Sequence, residues 1–338
     1  MKKVAAFALA LSLLFAFAAC NDTERYVNGF SMGSFYYAEY RSSSEQNERI
    51  DRVLLSIEKE YSVNLSSSCL FRINQAKAGE EIELTEEEFS LFSALFSLSA
   101  KTDGAFDPSL FPLVKAWGFD PPFDPKGKVP PSDSEILTAL EASSLSFFTL
   151  NKETSSISKS KDDALLDFGA SIKGYGAEKV MQAIEKNVKS ALINVGGTIA
   201  AVNRSYLVGI THPRNDSYEY LFSFTLEQGE ICATSGDYER VFVSEGVSYH
   251  HIIDRKTGRP SNSGVVSATV ISENGLYADS LATAAVVLGV EKTVNLFSEL
   301  GVKGALITED KRIVPIGLNI IQIKDSSYSV ANDAKEGA

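Results

Sequence analysis

Asp279 and Thr283 stand four residues apart in Leu276-Tyr277-Ala278-Asp279-Ser280-Leu281-Ala282-Thr283-Ala284, a run that reads as a helix from about Asp279 to Leu288. That spacing puts a carboxylate and a hydroxyl on one helical face. Two oxygens there suit a hard cation such as Mg²⁺, which prefers oxygen ligands. Taken alone, the stretch better fits an acidic residue placed in the first turn for the helix dipole and a Thr bonded back to its helix. Other stretches carry further chemistry. Leu166-Asp167-Phe168-Gly169-Ala170-Ser171-Ile172-Lys173-Gly174-Tyr175-Gly176 reads as strand, glycine-bearing loop and helix entry, a form that aims backbone N–H groups at an anion. Lys173 can meet a phosphate there as a point charge. The run is neither a Walker A loop nor a GxGxxG fingerprint, so an ordinary kinase or Rossmann reading is excluded. In Thr102-Asp103-Gly104-Ala105-Phe106-Asp107-Pro108-Ser109, followed by Trp117-Gly118-Phe119, a planar ring system could stack with Asp107 on a polar edge. A well-packed loop explains the same residues. Ala233-Thr234-Ser235-Gly236-Asp237-Tyr238 is hydroxyl-rich and turn-forming. His251, in Tyr249-His250-His251-Ile252-Ile253-Asp254, has the pKa range for a general base. His212 lies in a separate Thr-His-Pro turn.

The elements that must position these groups alternate without a βαβ rhythm, which predicts an α+β fold. Gln46 to Tyr61 predicts an amphipathic helix with Ile50, Val53, Leu54, Ile57 and Tyr61 on one stripe. Thr85 and Glu88 predict a capping box opening a helix to about Lys101. Further helices are expected over Asp133–Ala142, Ala177–Asn187 and Val290–Leu300. Strands are expected over Phe30–Arg41, Ala164–Phe168, Ala191–Val195, Phe222–Leu226, Ser267–Ile271 and Gly304–Thr308, among others. The proline-rich run from Asp120 to Pro131 reads as a surface loop.

The 338 residues, 44% hydrophobic and 22% charged, suffice to bury a real core. A net charge of −12 excludes nonspecific nucleic-acid binding, which needs a basic footprint. Lys2 and Lys3 precede an apolar run from Val4 to Ala18, the pattern of a signal peptide over residues 1–19. Phe17-Ala18-Ala19-Cys20 resembles a lipoprotein cleavage box, so Cys20 is the expected lipidation site and residues 20–29 a tether. Residues 30–325 then form the domain and 326–338 a polar tail. Cys69 and Cys232 remain, with no CxxC or Cys/His cluster to suggest zinc.

In order, Met-Gly-Ser at 32–34, Asp-Gly-Ala-Phe-Asp-Pro-Ser at 103–109, Leu-Asp-Phe-Gly-Ala-Ser-Ile-Lys-Gly-Tyr at 166–175, Asn-Val-Gly-Gly at 194–197, Thr-Ser-Gly-Asp-Tyr at 234–238, His-Ile-Ile-Asp at 251–254 and Ala-Asp-Xaa-Leu-Ala-Thr at 278–283 resemble the FAD:protein FMN transferase (ApbE) family. The resemblance implies a single α+β domain with a T-fold-like core, FAD as substrate and a Mg²⁺ ion. It implies Asp279, Thr283 and the Ala170 carbonyl as metal ligands. Met32, Asn64, Ala105, Phe106, Asp107, Asp167, Lys173 and Ile253 would line the FAD site, with His251 as base. The implied reaction moves FMN to a Thr or Ser hydroxyl of an exported flavoprotein, such as a subunit of a membrane redox pump, and releases AMP. The implied address is the periplasmic face of the inner membrane, held by the lipid anchor. Two departures stand out. Asn64 falls where many members carry an aromatic residue, which points to competing hydrolysis of FAD to FMN and AMP. Ala282 replaces a second carboxylate, which points to modest metal affinity. A non-enzymatic FAD-storage lipoprotein and a flavin-independent surface lipoprotein are the competing readings.

Overall fold

The structure is a computed structural model and describes residues 22–331. The expected signal peptide and Cys20 lie outside the described residues.

One nine-stranded sheet organises the domain, and its strands follow one another in chain order. Numbering only these strands, they are β1 (Thr23–Ser31), β2 (Ser34–Ser42), β3 (Ser190–Val195), β4 (Thr198–Val202), β5 (Ile231–Gly236), β6 (Val265–Ser272), β7 (Lys303–Thr308), β8 (Arg312–Ile316) and β9 (Ser329–Val330). Neighbours are antiparallel except β8 and β9, which run parallel. The helices are α1 (Asn47–Tyr61), α2 (Cys69–Gln75), α3 (Glu86–Lys101), α4 (Phe111–Ala116), α5 (Asp133–Ala142), α6 (Ile172–Ile184), α7 (Gly275–Leu288) and α8 (Val290–Leu300). An antiparallel sheet with helices inserted between its strands is the α+β arrangement expected.

Strand alternation divides the core. In β5, Ala233 faces the helical layer and Cys232 faces away from it. Cys232, Ile271, Ala305 and Ile307 meet a small sheet formed by Tyr206–Ile210, Phe222–Leu226 and Gln322–Ile323. Strand β6 is therefore covered on both faces, and Val265 to Ile271 are all buried. On the helical side, α1 buries Ile50, Leu54, Ile57 and Tyr61, the stripe its periodicity marked. Helix α3 carries the expected capping box: Glu88 N–H donates to Thr85 Oγ1 at 3.2 Å, and Thr85 N–H donates to the Glu88 carboxylate at 2.5 Å. Cys69 and Cys232 are free buried thiols in separate clusters.

Four expectations change. The tether expected over 20–29 is instead β1 from Thr23 onward, paired to β2 along its whole length. The polar tail also folds in part: Tyr328 is buried against His212, ring centroids 5.2 Å apart, and β9 follows it. Helix α6 starts at Ile172 rather than Ala177, so the second half of the glycine-bearing loop is its first turns. Ala164–Phe168 joins no sheet. A side chain takes the place of a neighbouring strand there: Asn74 Nδ2 donates to Leu166 O, and Leu166 N–H donates to Asn74 Oδ1, both at 2.8 Å. Asn74→Ala would leave two buried backbone groups unpaired at about 1–3 kcal/mol each. We expect a loss of about 3 kcal/mol in denaturant unfolding, with Asp167 freed from its place.

Candidate active site

A cavity of about 440 Å³ opens where the β1–β2 turn, the start of α6 and the His251 segment meet. Of the residues expected there, Met32, Ala105, Phe106, Asp107, Asp167, Ala170, Lys173, His251, Ile253 and Thr283 line it.

Each arrives for a local reason. Met32 and Gly33 form a two-residue hairpin turn with positive φ at both (52° and 70°), the geometry that matches the twist of paired strands. Phe106 follows a turn locked by Thr102, whose Oγ1 accepts from Phe106 N–H at 3.1 Å. Asp107 Oδ1 accepts from Ser109 N–H at 2.8 Å and Ser109 Oγ–H at 2.6 Å, and Arg255 Nε stands 3.1 Å from its Oδ2. Burial still pushes the Asp107 carboxyl up. Asp167 N–H donates to Pro108 O at 2.8 Å, tying two segments of the wall together.

The oxygen pair of α7 is placed by a helix crossing. Helix α7 starts at Gly275, with the Asn274 side chain accepting from Tyr277 N–H at 2.8 Å, so Asp279 is not in the first turn. Its carboxylate meets the start of α6 instead, where Gly174 N–H donates to Asp279 Oδ2 at 2.9 Å. This approach requires two glycines. A Cβ on Gly174 would stand 2.0 Å from Gly275 O, and one on Gly275 would stand 2.1 Å from Gly174 O. Asp279 is 3% exposed; burial raises its carboxyl, opposed by Lys173 and the backbone N–H groups of Gly174 and Lys173. Thr283 lies one turn on, its Oγ1 3.0 Å from Ser235 Oγ of β5. Ala282 is fully buried and offers no side-chain oxygen.

Asp279 is buried and does not itself line the cavity, and Asn64 lies off the wall as well. Asn64 is exposed and points Nδ2 at Pro121 O, 3.5 Å away. Trp117 is also elsewhere: it is 2% exposed, its Nε1–H donates to Gly258 O at 2.8 Å, and Phe119 takes the cavity position. His212 does not line the cavity and bonds Asp325 at 3.1 Å.

Glu239, Arg240 and Gly196 line the cavity unanticipated. Glu239 and Arg240 directly follow the Thr-Ser-Gly-Asp-Tyr turn, the signal that could have found them. Burial raises the Glu239 carboxyl, with Lys173 and Arg240 opposing and Asp279 reinforcing the shift. Burial raises the Asp167 carboxyl as well. His251 shifts furthest: burial, then the charges of Arg240 and Lys173, lower it to about 3, so it is neutral at ordinary pH. Its buried Nδ1 has no hydrogen-bond partner.

The arrangement suits a phosphoanhydride. Lys173 and Arg240 are cations for its oxygens, and bound phosphate would offset the two charges that, after burial, hold the His251 imidazole low, restoring its basicity. The motif resemblance groups Asp279, Thr283 and the Ala170 carbonyl, all oxygen donors, about a cation, which would relieve the cost of the buried Asp279 carboxylate.

The ApbE family model matches residues 32–306. The FAD:protein FMN transferase of Vibrio cholerae is 30% identical over 299 residues, covering 84% of this chain and 88% of that protein. That of Escherichia coli is 28% identical over 297 residues, covering 84% of each. The solved ApbE protein of Thermotoga maritima superposes with a TM-score of 0.76 at 28% identity, covering 89% of this chain and 97% of that one. The flavinyl transferase ApbE of Pseudomonas stutzeri gives 0.73 at 28% identity, covering 85% and 92%. The motifs, the fold and the wall they build agree with these matches: the chain belongs to the ApbE family.

Proposed function

We propose that this protein transfers FMN from FAD to a Thr or Ser hydroxyl of an exported flavoprotein, releasing AMP. The observation that carries the reading is His251, with its unpartnered Nδ1, on the same cavity as Lys173, Arg240 and Thr283, with Asp279 buried one turn before Thr283 on α7. The acceptor oxygen attacks the FMN-side phosphorus. The bond from that phosphorus to the bridging oxygen breaks, and AMP leaves with the bridging oxygen. The hydroxyl proton passes to His251. Lys173 and Arg240 hold the phosphate oxygens, while Ala105, Phe106 and Ile253 give the flavin nucleotide an apolar wall. Asp279, Thr283 and Ala170 would hold Mg²⁺, which supplies charge neutralisation to the phosphates. An FAD-storage role alone leaves the placed base and the oxygen pair without a use.

The leader and Cys20 support export and a lipid anchor at the periplasmic face of the inner membrane, where acceptors such as redox-pump subunits lie. The test incubates the protein with FAD and Mg²⁺, with and without an acceptor domain, following AMP, FMN and acceptor mass. AMP with an FMN-sized mass gain on the acceptor is expected. Tight FAD binding without AMP under any divalent ion would overturn the reading in favour of storage.

Asn64 lies off the cavity wall but meets Pro121, two residues beyond the wall residue Phe119, so it brings no aromatic ring to that edge, which favours water as a competing nucleophile. Asn64→Tyr is expected to lower the ratio of free FMN to acceptor-bound FMN several-fold in the same assay. An unchanged ratio would remove Asn64 from the account.

A further inference from the structure

The outer face of the β1–β2 hairpin carries Tyr26, Phe30, Phe35 and Tyr37, which are 53%, 58%, 78% and 38% exposed. They are the only aromatic residues among the exposed large apolar side chains of the described residues, and all four share one hairpin. Alternation explains the shared face: Val27, Tyr36 and Ala38 point inward to the helical layer, so their neighbours point out. The rings form two pairs. Phe30 and Phe35 meet edge to face at 5.3 Å, and Tyr26 and Tyr37 stack at 6.2 Å.

The second observation is how little chain precedes the strand. Only Asn21 and Asp22 separate Cys20 from Thr23, where β1 begins. Three residue steps span at most about 11 Å. An acyl anchor on Cys20 therefore holds the hairpin against the membrane with no room for a flexible spacer.

We propose that the aromatic face of β1–β2 lies in the headgroup layer of the membrane that holds Cys20; this rests on the lipid-anchor reading above. Tyr presents an apolar ring and a polar tip, the chemistry that favours membrane–water interfaces. The Tyr pair sits nearer the anchored end and the Phe pair beside the Met32–Gly33 turn, with Tyr26 and Phe30 about 13 Å apart along β1. The anchor before Thr23 at one end and the Phe pair at the other lay the hairpin along the surface rather than upright. Because that turn borders the cavity, the cavity mouth is then held close to the membrane, where membrane-bound acceptors present their hydroxyls. Glu24, Glu39 and Arg41 share the face, so its charge is mixed, and the chain as a whole is acidic. Aromatic insertion into zwitterionic lipid, rather than attraction to anionic lipid, follows.

The test uses the full mature protein reconstituted in phosphatidylcholine vesicles, with Phe35→Trp against Leu137→Trp on α5, which is 60% exposed. Buried Trp117 is a common background. Phe35→Trp is expected to lose at least half of its added emission when the acyl chains are brominated, and Leu137→Trp none. Acylated, vesicle-held protein in which Phe35→Trp is as unquenched as Leu137→Trp would overturn the proposal alone. Shielding that follows protein concentration would assign the face to a second copy, and shielding that follows added acceptor would assign it to that protein; either overturns the proposal. Mass analysis showing no acyl groups on Cys20 would overturn both the anchor reading and this one.

Discussion

His251→Asn is expected to slow FMN transfer by about 10²–10⁴-fold, the usual worth of a general base, while FAD binding changes by no more than a few-fold. Asn keeps a polar group near the position of Nδ1 and cannot take the proton. Its pH signature separates this role from a structural one. In the fold the imidazole is lowered to about 3, against 6.5 for an unperturbed histidine. The free enzyme therefore presents a neutral base throughout pH 5–8, and kcat/KM should show no acidic limb owed to His251 in that range. Stability carries the complementary sign. Between pH 3 and 6.5 the unfolded chain protonates this histidine and the folded chain does not, so the native state loses stability as pH falls through that window. Removing His251 removes that loss. The fall in Tm between pH 7 and pH 5 should be smaller in His251→Asn than in the parent. A larger fall in the variant would mean that the imidazole is charged in the fold and cannot serve as the base.

Much of the site was legible because its signals are local. Asp279 and Thr283 announce themselves by helical spacing, and the α1 stripe and the α3 capping box need only a few neighbouring residues. Legibility fails where position depends on distant chain. Glu239 and Arg240 enter the cavity because β5 ends there, which no local pattern states. Trp117 looks like a stacking platform, yet its indole N–H is used on Gly258 O, far away in sequence. Ala164–Phe168 has strand-like composition, but its partner is an Asn side chain rather than a strand. The first residues of β1 are polar because their outer face is open, and polarity read alone suggests a tether. The start of α6 was hidden by its glycines, which weaken a helix by propensity. The reason they are tolerated lies on another helix.

That reason makes Gly174→Ala the most disruptive small substitution available in the site. Ala is the better helix former by about 1 kcal/mol, so propensity alone predicts stabilisation. Packing predicts the reverse, because the new methyl would stand 2.0 Å from Gly275 O and 2.7 Å from Asp279 Cβ. Both obstacles belong to α7 close to its backbone, so no flexible side-chain end can swing aside; the helices must part. Overpacking of this kind costs about 1–3 kcal/mol and sometimes more. Parting also stretches the bond from Gly174 N–H to Asp279 Oδ2 and shifts the carboxylate away from Ala170 and Lys173. We expect Gly174→Ala to lower Tm clearly and to weaken Mg²⁺-dependent transfer at least ten-fold. Gly176→Ala, two residues along the same helix, is the control. Its methyl would meet Met32 Cε at 2.9 Å and Leu54 Cδ2 at 3.3 Å, both ends of flexible side chains. It should keep near-parental stability and shift only the KM for FAD, through Met32 at the cavity wall. If both variants behave alike, the glycines serve helix entry and the Asp279–Thr283 oxygen pair owes its position to something else. If only Gly174→Ala fails, the α6–α7 crossing is the device that places Asp279.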